Sequence, residues 1–250
     1  MNSIEEILIQ QQRRAVYVGS DFVNLDCLTQ FTEVETGAAT IAVGTGANNV
    51  GGQVVFNTTA AANLDCYLAS PEVFDFGPGG LAGKSIVGEA RIKYTEIATN
   101  DAIVVFGFMS AVGGDSMLDE ALGPKAVYSG AVIYKVTDSL LWKVEGSTNG
   151  GANIYGGTST AIPGGGTWQT LRVEGHPLTA TRMDISFLID DGGGSNFVPL
   201  RDSNLIPLKY EMDITTTVPM SLVVGLKCHN AGSSDETLYL DYMHGIQIRT

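Results

Sequence analysis

The last fifteen residues, Glu236 to Thr250, constrain this chain more than any other stretch. Leu238, Leu240, Tyr242, His244, Ile246 and Ile248 fall on one face of an extended backbone. Thr237, Tyr239, Asp241, Gly245, Gln247 and Arg249 fall on the other. Successive side chains of a strand point to opposite faces. Period two over this length predicts a long strand with one face on a core and one in water. Such a strand closes an antiparallel sheet, so the chain is expected to be all-β.

The preceding text agrees. Ala90, Ile92 and Tyr94 alternate with Glu89, Arg91, Lys93 and Thr95. Ile103 to Met109 is a nearly unbroken apolar run, the pattern of a strand covered on both faces. Ala131 to Val136 and Leu140 to Val144 read as a hairpin around Thr137-Asp138-Ser139. Met183, Ile185, Phe187 and Ile189 alternate with Arg182, Asp184 and Ser186. Met220, Leu222, Val224, Leu226 and Cys228 make a further one-faced strand. Glycine supplies 31 of 250 residues, clustered at 150–151, 156–157, 164–166 and 192–194, where turns need positive φ. Many short strands separated by such turns indicate a two-sheet sandwich. With 44% hydrophobic residues the chain can bury a sizeable core, expected as one domain over residues 31–250.

Residues 1–30 are expected to form an arm. Ser3-Ile4-Glu5-Glu6 is a capping-box pattern, and Ile4, Ile7 and Leu8 follow at helical spacing, predicting a short helix over 3–13. A helix this short is marginal alone in water and needs a surface to dock on, either its own domain or a neighbouring subunit.

Charge and cysteine usage exclude several functions. The formal charge is −13, and the 14 Lys and Arg are thinly spread, with Arg13-Arg14 the one adjacent pair. A nucleic-acid partner is therefore not expected, because a phosphate backbone needs clustered basic residues. The acidity is read as solubility and self-repulsion. No apolar run approaches the ~18–20 residues of a membrane span, and no signal peptide opens the chain. Cys27, Cys66 and Cys228 are expected as buried free thiols in a protein made in a reducing cytoplasm.

Catalytic and ligand motifs fail on inspection. Gly79 to Ser85 imitates a phosphate loop, but Pro78 occupies its first glycine position and strand text follows. Gly44 to Asn49 has no βαβ unit around it. Of His176, His229 and His244, the last lies on the predicted apolar face of its strand. Cys228 and His229 are adjacent and point apart. A Glu-x-Asp-x-x-Glu string is absent, and Asp184 and Asp190 stand roughly 20 Å apart along one strand. The chain is not expected to be an enzyme or to need a cofactor. Asp190 to Asn196, and Asp115 with Asp119 and Glu120, have oxygen-rich composition without a calcium-binding register, so both read as polar turns and no metal site is expected.

Trp168-Gln169-Thr170-Leu171-Arg172-Val173-Glu174, then Met183 to Gly192, then Leu238-Tyr239-Leu240-Asp241-Tyr242 follow one another in a recognisable order. Over about residues 50–250 this resembles concanavalin A-like (laminin-G-like) jelly rolls, in which a W-x-x-L-x-V strand precedes an F-x-I-D-G hairpin and an L-x-L-D-Y strand completes the sheet. Similar chains occur among structural proteins of tailed bacteriophage particles. The resemblance implies an antiparallel two-sheet jelly roll and a virion structural protein, specifically a capsid decoration or cement protein. It would be made in the host cytoplasm and carried on the capsid exterior. Its implied partners are the major capsid protein and neighbouring copies of itself, as a homo-oligomer. Ile4, Ile7, Leu8, Arg13 and Arg14 would make those contacts. Full burial of each aliphatic would contribute roughly 1.5–3 kcal/mol, multiplied by avidity over many copies. The alternative implied is a lectin-like carbohydrate- or receptor-binding virion module, with Trp142, Tyr155 or Trp168 stacking on sugar rings. The hairpin here carries an additional aspartate (Asp190-Asp191-Gly192). The acidic metal ligands of legume-type lectins have no clear counterparts, which weighs against sugar binding.

Overall fold

The computed structural model describes residues 15–22, 25–44, 52–59, 63–76, 85–96, 101–119, 122–148, 151–192, 196–229 and 236–248. Its strands, in chain order, are β1 (Ala15–Ser20), β2 (Thr32–Glu35), β3 (Thr40–Val43), β4 (Val54–Thr58), β5 (Asp65–Ala69), β6 (Ile86–Thr95), β7 (Ala102–Met109) and β8 (Gly130–Lys135). There follow β9 (Leu141–Thr148), β10 (Asn153–Pro163), β11 (Gln169–Thr179), β12 (Arg182–Asp190), β13 (Val198–Pro199), β14 (Lys209–Asp213), β15 (Ser221–Cys228) and β16 (Glu236–Ile248). The first sheet runs β13-β12-β11-β6-β16-β4-β3, with β1 added to β16 and β14 to β12. The second runs β10-β9-β8-β7-β15-β5-β2. The protein is all-β, two antiparallel sheets packed face to face, as the alternation predicts.

The helix expected over 3–13, with Ile4, Ile7, Leu8, Arg13 and Arg14, lies outside the described residues. Of residues 1–30, Ala15–Ser20 is a strand on β16 and Leu25–Gln30 is a 3-10 turn.

Inner faces alternate as a half-buried sheet should. On β6, Ile86, Gly88, Ala90, Ile92 and Tyr94 point inward and Val87, Glu89, Arg91 and Lys93 outward. Phe56, Phe106, Phe108, Trp142, Phe187, Leu222 and Leu240 fill the space between the sheets. At Gly107 the chain needs glycine: φ is +144°, and a Cβ there would lie 2.2 Å from the Ala131 carbonyl oxygen on β8.

The central strands of the second sheet, β5, β15, β7 and β8, are buried on both faces, and the unbroken apolar text of β7 is the trace of that. Its outer face carries Tyr67, Ile103, Val105, Val132 and Val223, covered by Met117 and Tyr128 from the segment between β7 and β8. The one-faced reading of β15 needs correction for the same reason, since Val223 and Lys227 on its other face are fully buried. Lys227 pins the covering segment. Its ammonium donates to Asp115 (2.8 Å), the Met117 carbonyl (3.0 Å) and Asp119 (2.7 Å). Those two aspartates, read on sequence as a polar turn, are the partners of a buried cation. Cys66 and Cys228 are buried free thiols, and burial raises the pKa of Cys66.

The closing strand departs from its own pattern. Leu240 pairs with Ile92, but Tyr242 pairs with Arg91, so Asp241 is an additional residue, a β-bulge. Beyond it the faces exchange. Met243, Gly245 and Gln247 point inward, while Ile246 and Ile248, expected in the core, are 40% and 48% exposed. Gly245 admits the Phe74 ring, to which a Cβ would come within 2.6 Å. Gln247 is buried without penalty because its amide accepts from Asp75 N–H (3.1 Å) and donates to the Asp75 carbonyl (2.6 Å). His244, expected on the apolar face, lies on the outer one, 2.8 Å from Asp21.

Two outcomes test this account. Gly107→Ala should lower stability by about 1–3 kcal/mol, the cost of a strained backbone, in urea unfolding with unchanged m. Removing the anions around Lys227 should cost more than removing Lys227 itself. Asp115→Asn with Asp119→Asn strands a buried ammonium (about 3–5 kcal/mol), whereas Lys227→Met leaves two carboxylates that can turn to water. Burial pushes the Lys227 pKa down, but the two aspartates outweigh it and hold it above the ordinary 10.5. Its contribution should therefore be complete below about pH 10.5 and be lost as pH rises through the raised value.

Candidate functional site

Strand register brings polar residues into rows on the open face of the first sheet. One row runs His244 (β16), Glu89 (β6), Arg172 (β11), Leu188 (β12); the next runs Tyr242, Arg91, Thr170, Asp190. The bulge at Asp241 turns both Asp241 and Tyr242 toward this face. Asp241 pairs with Arg91 at 2.6 Å, and the Tyr242 hydroxyl donates to Glu89 Oε1 at 2.5 Å. Arg172 grips the other oxygen of Glu89 through Nε (2.9 Å) and Nη2 (2.6 Å), and its Nη1 donates to Glu174 (3.2 Å). Phe197, just before β13, lies against the guanidinium with its ring centroid 3.6 Å from Cζ.

Glu89, Arg91, Thr170, Arg172, Asp190, Phe197 and Tyr242 line a slot of about 460 Å³. Two carboxylates and two guanidiniums give the lining a formal charge of zero. Burial first, and then the Glu89 carboxylate, raise the Tyr242 pKa to about 12, so the phenol stays protonated and donates. Planar donors and acceptors beside an aromatic ring can exchange hydrogen bonds with polar groups of a ligand and pack against an apolar face of it.

The same geometry offers little to catalysis. Glu89 is committed to Arg172 and Tyr242, and Arg91 to Asp241. A Ser85–His176–Glu174 arrangement lies at the rim of this face, with Ser85 Oγ 3.1 Å from His176 Nδ1. His176 Nε2 to Glu174 Oε2 is 3.7 Å, too long for an orienting hydrogen bond, and Glu174 also holds Arg172. His176 is half exposed. Among the described residues no group of three or more His, Cys, Asp or Glu is placed to hold a metal ion. In the Asp190–Asp191 hairpin, Asp190 accepts from Gly192 N–H (3.0 Å) and Asp191 from Gln169 Nε2 (2.6 Å).

The three aromatic residues expected to stack on sugars fare differently. Trp142 is fully buried, edge-on to Tyr94 at 6.0 Å, and its indole N–H donates to Gln169 Oε1 (3.0 Å); it belongs to the core. Tyr155 packs its ring against the core and its hydroxyl accepts from Asp213 N–H (3.0 Å), away from the slot. Trp168 lies beside the slot, but Arg91 and Lys93 both sit over its ring, at 4.9 and 4.8 Å. The slot residues themselves come from five separated segments. Alternation could place Glu89 and Arg91 outward, but only register puts them against Arg172 and Tyr242.

No protein-family model and no curated protein matches the chain. Solved structures do. The carbohydrate recognition domain of Emp47p superposes with a TM-score of 0.57 at 13% identity, over 96% of this chain and 99% of that one. Peanut lectin, solved with a 9mer peptide, gives 0.55 at 9% identity over 93% and 97%. The Shewanella oneidensis MR-1 protein SO2946 gives 0.50 at 13% over 100% and 95%. Identities this low speak for fold alone, and that fold is the concanavalin A-like, lectin-type jelly-roll sandwich.

Proposed function

We propose that this protein is a non-catalytic binding module that takes an uncharged carbohydrate in the slot between Phe197, Arg172, Glu89 and Tyr242. The observation that carries the reading is the charge-balanced cluster on an open sheet face, with Phe197 alongside. Lectins and carbohydrate recognition domains among its structural neighbours support it at the level of fold. Titration calorimetry against neutral oligosaccharides chosen from a glycan array tests it. Phe197→Ala and Arg172→Ala should each weaken binding about tenfold or more, equivalent to about 1.4 kcal/mol, with an unchanged unfolding midpoint for Phe197→Ala. Failure to retain any glycan, or retention indifferent to both substitutions, refutes it.

Attachment to a bacteriophage capsid as a decoration protein is the second reading. Its support within the fold is the number of large aliphatic side chains left in water, Leu122, Ile154, Leu205 and Ile206 among them, each more than half exposed. Such side chains suit repeated contacts on a lattice, where Ile4, Ile7, Leu8, Arg13 and Arg14 would add a clasp. Density for the chain on the outside of purified heads would establish this reading, and its absence there would remove it.

A further inference from the structure

The basic residues in the strands of the first sheet are paired with carboxylates, with one exception. Arg91 meets Asp241 (2.6 Å), Arg172 meets Glu89 (2.6 Å), Arg182 meets Asp213 (3.1 Å) and Lys209 meets Asp184. Lys93 on β6 makes neither an ion pair nor a hydrogen bond with any described residue. Its ammonium lies over two rings instead, 4.8 Å from the centroid of Trp168 and 4.7 Å from that of Tyr239. Register puts it there. Lys93 pairs with Tyr239 on β16, and Trp168 directly precedes Gln169 of β11, which pairs with Ile92, so a ring reaches the lysine from the strand on either side.

Aromatic faces attract a cation, but they neither neutralise it nor use up its three N–H donors. Fixing Trp168 does not require this lysine alone, because Arg91, already held by Asp241, also lies over the indole at 4.9 Å. Lys93, Trp168 and Tyr239 are all partly exposed, so the group is open to a ligand. Partial cover by the rings excludes some water and strengthens the pull on an incoming anion. On a chain of formal charge −13, such a cation marks one place on this face where a negative group can be held.

The group adjoins the slot. Arg91 lines the slot and touches Trp168, and Lys93 follows Glu89 by four residues along one strand, about 13 Å. One oligosaccharide can cover that span. We propose that the ligand is an acidic oligosaccharide: an uncharged unit sits in the slot, and a nearby unit places a carboxylate or sulfate ester on Lys93 with its ring against Trp168 and Tyr239. This rests on the carbohydrate reading and deepens it by naming the class of sugar.

An array that prints uronate-bearing and sulfated oligosaccharides beside their methyl-esterified and desulfated counterparts tests it, followed by titration of the full chain with the best pair. At least one acidic form should bind tenfold or more tighter than its neutral counterpart. That ratio should shrink as ionic strength rises from about 0.01 M to about 1 M, where the screening length falls from ~30 Å to ~3 Å. Lys93→Met, which keeps the stem over the rings, should bring the ratio close to one, and Lys93→Arg should restore it. A merely structural role for Lys93 would weaken both forms alike and leave the ratio unchanged in Lys93→Met, which overturns the proposal. Acidic forms held no better than neutral ones overturn it too, while neutral binding that depends on Phe197 would leave the slot reading standing. Retention of no glycan of either kind removes both.

Discussion

One surplus residue in a central strand organises this molecule. β16 lies between β6 on one side and β4 and β1 on the other, so any irregularity in it is felt across the first sheet. By inserting Asp241, the strand exchanges its faces halfway along. The half paired with β4 follows the familiar rule of apolar inside and polar outside. The half paired with β1 turns Gly245 and Gln247 to the core and two isoleucines to the solvent. Bulges increase local twist and re-aim side chains, which is why they gather next to sites. Here the displaced pair, Asp241 and Tyr242, meets Arg91 and Glu89. The polar slot lies on one side of that irregularity, and on the other Tyr17, Val87, Gly245 and Ile246 line a small apolar depression that shares Glu89 in its wall.

The slot is held by mutual satisfaction rather than by depth. Glu89 pairs with Arg172, and Arg91 with Asp241, each across neighbouring strands. Arg172, with Glu89 below it and Phe197 beside it, has little rotational freedom left to lose on binding. A general base needs an unshared lone pair aimed at substrate, and Glu89 has both oxygens engaged.

Much of the fold was legible in the chain, and the reasons for the rest are local. Alternation in β6 placed Glu89, Arg91 and Lys93 correctly because that strand is regular from end to end. The apolar run of β7 announced burial on both faces, though not what covers it. β15 misled, since Lys227 reads as a solvent-facing residue unless Asp115 and Asp119 are known to close over it from more than a hundred positions away. The second half of β16 misled for a different reason. A bulge leaves no composition signal, and Ile246 and Ile248 keep perfect alternation with each other on the wrong face. Core burial of Trp142 follows from its size and apolar ring, and Gln169 supplies the hydrogen-bond partner that lets its indole be wholly internal. Of the slot, the residue types were visible and their meeting was not, because register between distant strands is a property of the folded sheet.

The strap over the second sheet has a consequence for the life of the protein in a crowded cell. Underneath Met117 and Tyr128 lies a layer of Val105, Val132 and Val223, with Val34 and Val112 packed against the same cluster. Were that segment lifted away, the layer would present an apolar sheet face to water, the kind of surface on which sheets associate. The ammonium of Lys227, holding Asp115, Met117 and Asp119, is what fastens that cover in place.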